Sequence, residues 1–149
     1  MNEQSILIKD MPERKVFYLS CNGSWWQLPD MLAKLSDYSF KTGIKSLGSP
    51  SGFYYNTPQD VAVNDLIWEV CYPVASDTQE HFDEGSKTGV KRIPATRVAT
   101  IIHEGSYRKT SASYEKLQSS INTNILEVCG PTEEVYRTEI NKTNAKQRI

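Results

Sequence analysis

The sequence is poor in the features that announce specialised proteins. Only three cysteines occur in 149 residues, Cys21, Cys71 and Cys129, far apart and without a CxxC pair. This argues against a disulfide framework or a thiolate zinc site and points to reduced thiols. Neither charge dominates: 17 basic side chains stand against 18 acidic ones, so no basic field marks a nucleic-acid surface. No apolar run approaches the roughly 20 residues that span a bilayer. The opening MNEQSILIKD lacks the basic-then-apolar layout of a secretory leader. A soluble, cytoplasmic protein is expected, and the sequons at Asn22 and Asn141 then carry no weight. Phosphate-binding and dinucleotide glycine fingerprints are missing, as is metal-ligand spacing; no cofactor and no metal are expected.

What the chain does have is an internal echo. IKDMPERKVFYLSCNGSWW, from Ile8, aligns with VKRIPATRVATIIHEGSYR, from Val90. Lys9 meets Lys91, Pro12 meets Pro94, Val16 meets Val98, Gly23 meets Gly105 and Ser24 meets Ser106, always 82 positions apart. The register continues to Gly48 with Gly130 and Tyr54 with Tyr136. A period this long means two copies of a supersecondary unit. The chain is therefore read as a single domain over 1–149. It comprises repeat one over about 6–74, a polar connector at 75–89, repeat two over about 90–140, and a frayed tail at 141–149.

Each copy reads as strand, helix, strand, strand. Lys15 to Cys21 and Arg97 to His103 alternate and are rich in β-formers. Pro12 and Pro94 mark a strand start or bulge, and Gly23-Ser24 and Gly105-Ser106 turn the chain, with Ser106 as a helix N-cap. Leu28, Met31, Leu32, Leu35 and Tyr38 have helical spacing behind Pro29; Thr110, Tyr114, Leu117 and Ile121 mark the second helix's inner face. Gly52 to Tyr55, Asp65 to Val74, Ile125 to Val128 and Glu134 to Ile140 are the further strands. The expected fold class is α+β: two tandem modules related by pseudo-twofold symmetry, an antiparallel sheet, two main helices and a central groove. A cleft between two units favours small-molecule binding.

Glu69 interrupts the apolar strand NDLIWEVCYPV. Burying an ionised carboxylate alone costs several kcal/mol, so something cationic or hydrogen-bonding must meet it, or it lies on a solvated face. Aromatic residues recur at matching places: Trp25 and Tyr107 enter the two helices, and Tyr54 matches Tyr136. A carboxylate walled by aromatic rings attracts a cation through charge and ring faces together. His103 heads a turn with no nucleophile in view, and His81 lies in the connector; both are read as structural or solvated.

IPATRVATIIHEGSY, GPTEEVY, and GFYYN followed by WEVCYPV resemble the GyrI-like small-molecule-binding domain over roughly residues 6–140. That family includes effector-binding domains of AraC-type and MerR-type multidrug regulators and free-standing proteins. The resemblance implies a groove lined by aromatics with a buried Glu that meets cationic, flat, apolar ligands. By match to the motifs, Glu69 and Glu134 are the acidic groups, and Trp25, Tyr54, Trp68, Tyr107 and Tyr136 the walls. The polar tail follows soon after Tyr136, where relatives continue into a longer hairpin, so Glu139 rivals Glu134 for the groove.

Three functions follow as expectations. The first is a sensor, effector-binding or sequestering module for amphipathic, aromatic, cationic small molecules, with no catalytic residue. The duplicated domain fills the chain, so direct nucleic-acid binding and membrane insertion are not expected. The second is a hydrolase of cyclopropane-type electrophiles, as among some relatives, with Glu69 or Glu134 as general base. The third is a protein-interaction module.

Overall fold

The computed structural model describes residues 6–106 and 109–137. Its elements run β1 (Leu7–Met11), β2 (Arg14–Asn22), a 3-10 turn (Trp25–Gln27), α1 (Leu28–Thr42), β3 (Ser51–Tyr54) and a second 3-10 turn (Val63–Asp65). Then follow β4 (Ile67–Val74), β5 (His81–Asp83), β6 (Thr88–Ile93), β7 (Thr96–Thr100), α2 (Ser111–Thr123) and β8 (Thr132–Val135). The fold is α+β, with two helices on antiparallel sheets among the described residues. A six-stranded sheet has the order β5-β6-β2-β4-β3-β8, and β1 pairs with β7 in a separate two-stranded sheet. No helix among the described residues is long and apolar enough to cross a membrane.

Alternation in β2 and β4 builds the core. Phe17, Leu19 and Cys21 on β2, with Trp68, Val70, Tyr72 and Val74 on β4, pack under Leu28 and Leu35 of α1. The intervening residues Val16 and Cys71 point to the other face, where Phe53 joins them. The entry to α1 follows from its residues. Gly23 takes a left-handed φ of 89°, Ser24 caps the 3-10 turn by accepting from Trp26 N, and Pro29 sits in the helix's first turn. The exit is Gly43, also left-handed at φ 73°, whose N–H closes on Ser39 O.

Several boundaries differ from the sequence reading. Ser106 does not cap α2: its carbonyl is taken by Lys109 N and by His103, and Thr110 holds the cap position. Ile125 to Val128 is not a strand. The helix end folds back there, with Leu126 N on Ile121 O and Ile125 at φ 53°, so no ladder forms despite the β-branched residues. β7 ends at Thr100, and β4 starts at Ile67 because Val63–Asp65 takes a helical turn. Pro12 and Pro94 lie in the short turns after β1 and β6, where each ends a strand rather than starting one. The polar 75–89 segment contributes β5, which pairs with β6. Reading of 138–149 falls outside the described residues.

β3 and β8 pair with Gly52 opposite Glu134, residues that correspond at the 82-residue offset. α1 thus stands over a sheet whose β2–β6 and β3–β8 pairs join the two halves of the chain.

Candidate functional site

On the helix side of that sheet, Tyr54 stands between two indoles. Its ring lies 5.1 Å from Trp25, edge-on, and 6.2 Å from Trp68, stacked. Trp68 is fixed by its own Nε1–H, which donates to Gly23 O at 3.0 Å. The hydroxyls of Tyr54 and Tyr136 meet in a short hydrogen bond. Tyr136 donates on to Glu134 Oε1 at 3.1 Å, and Tyr114 of α2 donates to the other carboxylate oxygen. A phenol has one proton. Tyr136 gives its proton to Glu134, so it accepts from Tyr54, and the chain of hydroxyls runs in one direction toward the carboxylate.

Gly52 makes this convergence possible. A Cβ there would lie 2.7 Å from the Tyr54 hydroxyl and 2.9 Å from that of Tyr136. The glycine is present because both hydroxyls need that space, not because the backbone is unusual. The cluster is closed: Trp25, Tyr54, Trp68 and Tyr136 are all buried. Ligand entry therefore requires side chains at this point to part. A separate cleft of about 230 Å³ lies under the C-terminal half of α1, lined by Leu35, Ser39, Pro50 and Tyr72, with no acidic or basic group.

Glu69 is elsewhere. Its position on β4 is out of phase with Trp68, which puts it on the opposite face of the sheet. There Lys91 Nζ reaches it at 2.5 Å and the Tyr55 hydroxyl donates to it at 2.8 Å. Lys91 also sits 4.4 Å from the Tyr18 ring centroid. The carboxylate, the cation and the rings that the sequence led one to expect around a ligand are all present, and Lys91 is the cation. Burial and the adjacent Glu69 push the Tyr55 phenol well above its ordinary value. A second ion pair on this face, Arg14 to Glu133 at 2.6 Å, covers Phe53.

Of the expected site residues, Trp25, Tyr54, Trp68, Glu134 and Tyr136 come together, Glu69 does not, and Tyr107 and Glu139 lie outside the described residues. Sequence reasoning missed Tyr114, Gly52 and Lys91. Tyr114 was legible as an inner-face residue, but its hydroxyl partner lies on a distant strand. The role of Lys91 depends on which strand β2 accepts as neighbour, which no local pattern reveals.

The family model described as "GyrI-like small molecule binding domain" matches residues 4–149. No curated protein matches the sequence. Among solved structures, the cryo-EM structure of the EcmrR–DNA complex aligns over 96% of this chain at a TM-score of 0.76 and 17% identity. The chain spans about half of that protein, 54% of its length. The crystal structure of the EcmrR C-terminal domain aligns over 96% of this chain and 91% of its own, with a TM-score of 0.71 and 18% identity. A hydrolase from Listeria innocua aligns over 94% of this chain and 87% of its own, with a TM-score of 0.63 and 10% identity. At these identities the structures attest the fold.

Proposed function

This chain belongs to the GyrI-like small-molecule-binding family, and from that premise we propose that it binds amphipathic, aromatic, cationic small molecules between α1 and α2. The observation that carries this reading is Glu134, a carboxylate inside an aromatic cluster toward which the hydroxyls of Tyr114 and Tyr136 both donate. The rings of Trp25 and Trp68 pack on Tyr54, whose hydroxyl connects through Tyr136 to Glu134, so side chains that part here would expose flat apolar surface and negative π faces beside the carboxylate. A flat cation satisfies both at once. A carboxylate ligand would face Glu134 directly and gain nothing from hydroxyls already directed at it.

The binding module is a sensor, effector-binding or sequestering domain, and any regulatory output passes through a partner rather than through direct contact with nucleic acid. The alternative reading, a hydrolase, draws on the structural likeness to the Listeria innocua protein described as one. In that case Glu134 takes a proton from water as the water oxygen bonds to a ring carbon, the strained C–C bond breaks, and the carbon that leaves with the electron pair takes the proton back from Glu134. Calorimetry with an aromatic cation, run beside a product assay on a cyclopropane-type electrophile, separates the two. Stoichiometric saturable heat without product supports the binder. Multiple turnovers lost in Glu134→Gln would overturn it in favour of the enzyme.

A further inference from the structure

We propose that Arg14 is a positioning residue for the site: its grip on Glu133 fixes the phase of β8 and so decides that Glu134, not its neighbour, faces the aromatic cluster. This rests on the reading of Glu134 as the group that meets a ligand's charge. The starting point is the sequence of β8, Thr-Glu-Glu-Val over Thr132–Val135. Side chains alternate along a strand, so a slip of one residue moves each of them to the other face of the sheet. A strand with one clearly apolar face resists such a slip, because its apolar residues would turn outward. β8 has no such contrast. In the observed phase Glu134 and Tyr136 face the helix side, and Glu133 and Val135 the far side. After a slip Glu133 and Val135 would face the cluster, again one carboxylate and one apolar side chain. The pattern of β8 leaves the two phases nearly alike, and contacts outside the strand choose between them.

Two contacts do so, one from each face. On the helix side Tyr136 is buried, with its N–H on Pro50 O at 2.9 Å and its hydroxyl against that of Tyr54. On the far side Arg14 closes a fork on Glu133, Nη1 to Oε2 at 3.0 Å and Nη2 to Oε1 at 2.6 Å. Two parallel bonds fix the direction of the carboxylate as well as its place, which a single bond does not. The guanidinium lies in turn over the Phe53 ring, 5.7 Å from its centroid. Phe53 stands opposite Glu133 in the β3–β8 ladder, so the ring puts the fork at the rung that it grips.

The reach of this contact is long. Arg14 is the first residue of β2, and the pair crosses β4 and β3 to β8, about 14 Å at the usual strand spacing. Side-chain exposures of 25% and 20% hold the pair partly out of water, where a charge-assisted fork is stronger than a solvated pair. Val135, 51% exposed on the same face, adds little there. The choice of cation fits the task. Glu69 is met by the single ammonium of Lys91, whereas Glu133, which orients a strand, is met by a guanidinium.

The test compares Arg14→Met, Arg14→Lys and the double variant Arg14→Met with Glu133→Gln against the parent. A cationic dye and a neutral dye of the same shape are titrated into each, with Glu134→Gln as the reference for a lost site. Selectivity for the cation is expected to fall about tenfold in Arg14→Met, and nearly as far in Arg14→Lys, which keeps the charge but not the fork. The double variant separates position from stability, and it carries the comparison if Arg14→Met does not fold. Removing both partners strands no charge, so its urea unfolding should return close to the parent. Its selectivity should stay low, because β8 is still ungripped. Selectivity that returns together with stability would mean that Arg14 supports the fold alone and would overturn the proposal, as would full selectivity in Arg14→Lys. Amide hydrogen exchange without ligand reads the grip independently: residues 133–136 should exchange faster in the double variant than in the parent. Unchanged exchange there would overturn the proposal as well. If Glu134→Gln keeps its selectivity, the binding role of Glu134 falls, and the exchange alone decides for or against the grip.

Discussion

At the scale of single residues, the molecule separates two carboxylates that the sequence makes look alike. Glu134 is held by tyrosines in a closed aromatic cluster; Glu69 is neutralised by Lys91 on the far side of the sheet. Lys91→Met should therefore strand a carboxylate whose side chain is only 12% exposed, costing about 1–3 kcal/mol in denaturant unfolding. The double variant with Glu69→Gln should recover most of it, and no recovery would mean that Lys91 acts through packing alone. Gly52→Ala should separate the hydroxyls of Tyr54 and Tyr136, losing about 1–3 kcal/mol of stability as overpacking does. It should also weaken cationic ligands, which thermal melts and titration read separately. The thiols give a pH prediction. Burial pushes Cys21 up to about 12, so folding favours its neutral form. That contribution is fully present below the ordinary value of 9.0 and is lost as pH rises toward about 12. Stability should accordingly fall less steeply above pH 9 in Cys21→Ala than in the parent. Native alkylation should modify exposed Cys129 and spare Cys21 and Cys71.

At the scale of elements, the sequence was most readable where a segment satisfies itself. The alternation of β2 and the spacing of α1 mark structures whose hydrogen bonds or buried stripe follow from local residues. It was least readable where a segment's fate depends on a neighbour. Ile125 to Val128 has strand-forming residues but no ladder to join, and the helix end closes back on itself instead. His81–Asp83 lies in a polar stretch, yet β6 takes it as a partner strand. The turn of that hairpin is exposed and held by Gly85 N on Asp83 Oδ1 and Lys87 N on Asp83 O. A short Gly/Ser insertion between Glu84 and Gly85 should change stability by no more than about 0.5 kcal/mol, as at most surface sites. Gly89→Ala, two strand positions away, should be costly, because its Cβ would lie 2.3 Å from the His81 carbonyl oxygen. Equal tolerance at both places in urea unfolding would show that β5 contributes nothing to the sheet.

At the scale of the whole molecule, the echo between the two halves of the sequence keeps one offset throughout, even though few residues are identical. Gly23 and Gly105 share left-handed φ values of 89° and 104°, which explains why those glycines recur. The two halves should superpose with these glycines coincident and Tyr54 on Tyr136; a crystal structure with unrelated placements would refute the duplication. The candidate cluster was half legible. Recurring aromatics pointed to Trp25, Tyr54 and Tyr136, but the choice between Glu69 and Glu134 turned on strand phase and on a cross-strand lysine. The central claim is that Glu134, not Glu69, meets the charge of a ligand. Its most direct test titrates a cationic dye and a neutral dye of the same shape into the parent, Glu134→Gln and Glu69→Gln proteins. The account predicts that Glu134→Gln weakens the cationic dye by about 1–3 kcal/mol, the range for a lost charged partner, and the neutral dye much less. Glu69→Gln should leave both unchanged. Equal losses for the two dyes in Glu134→Gln, or a charge-selective loss in Glu69→Gln instead, would contradict it.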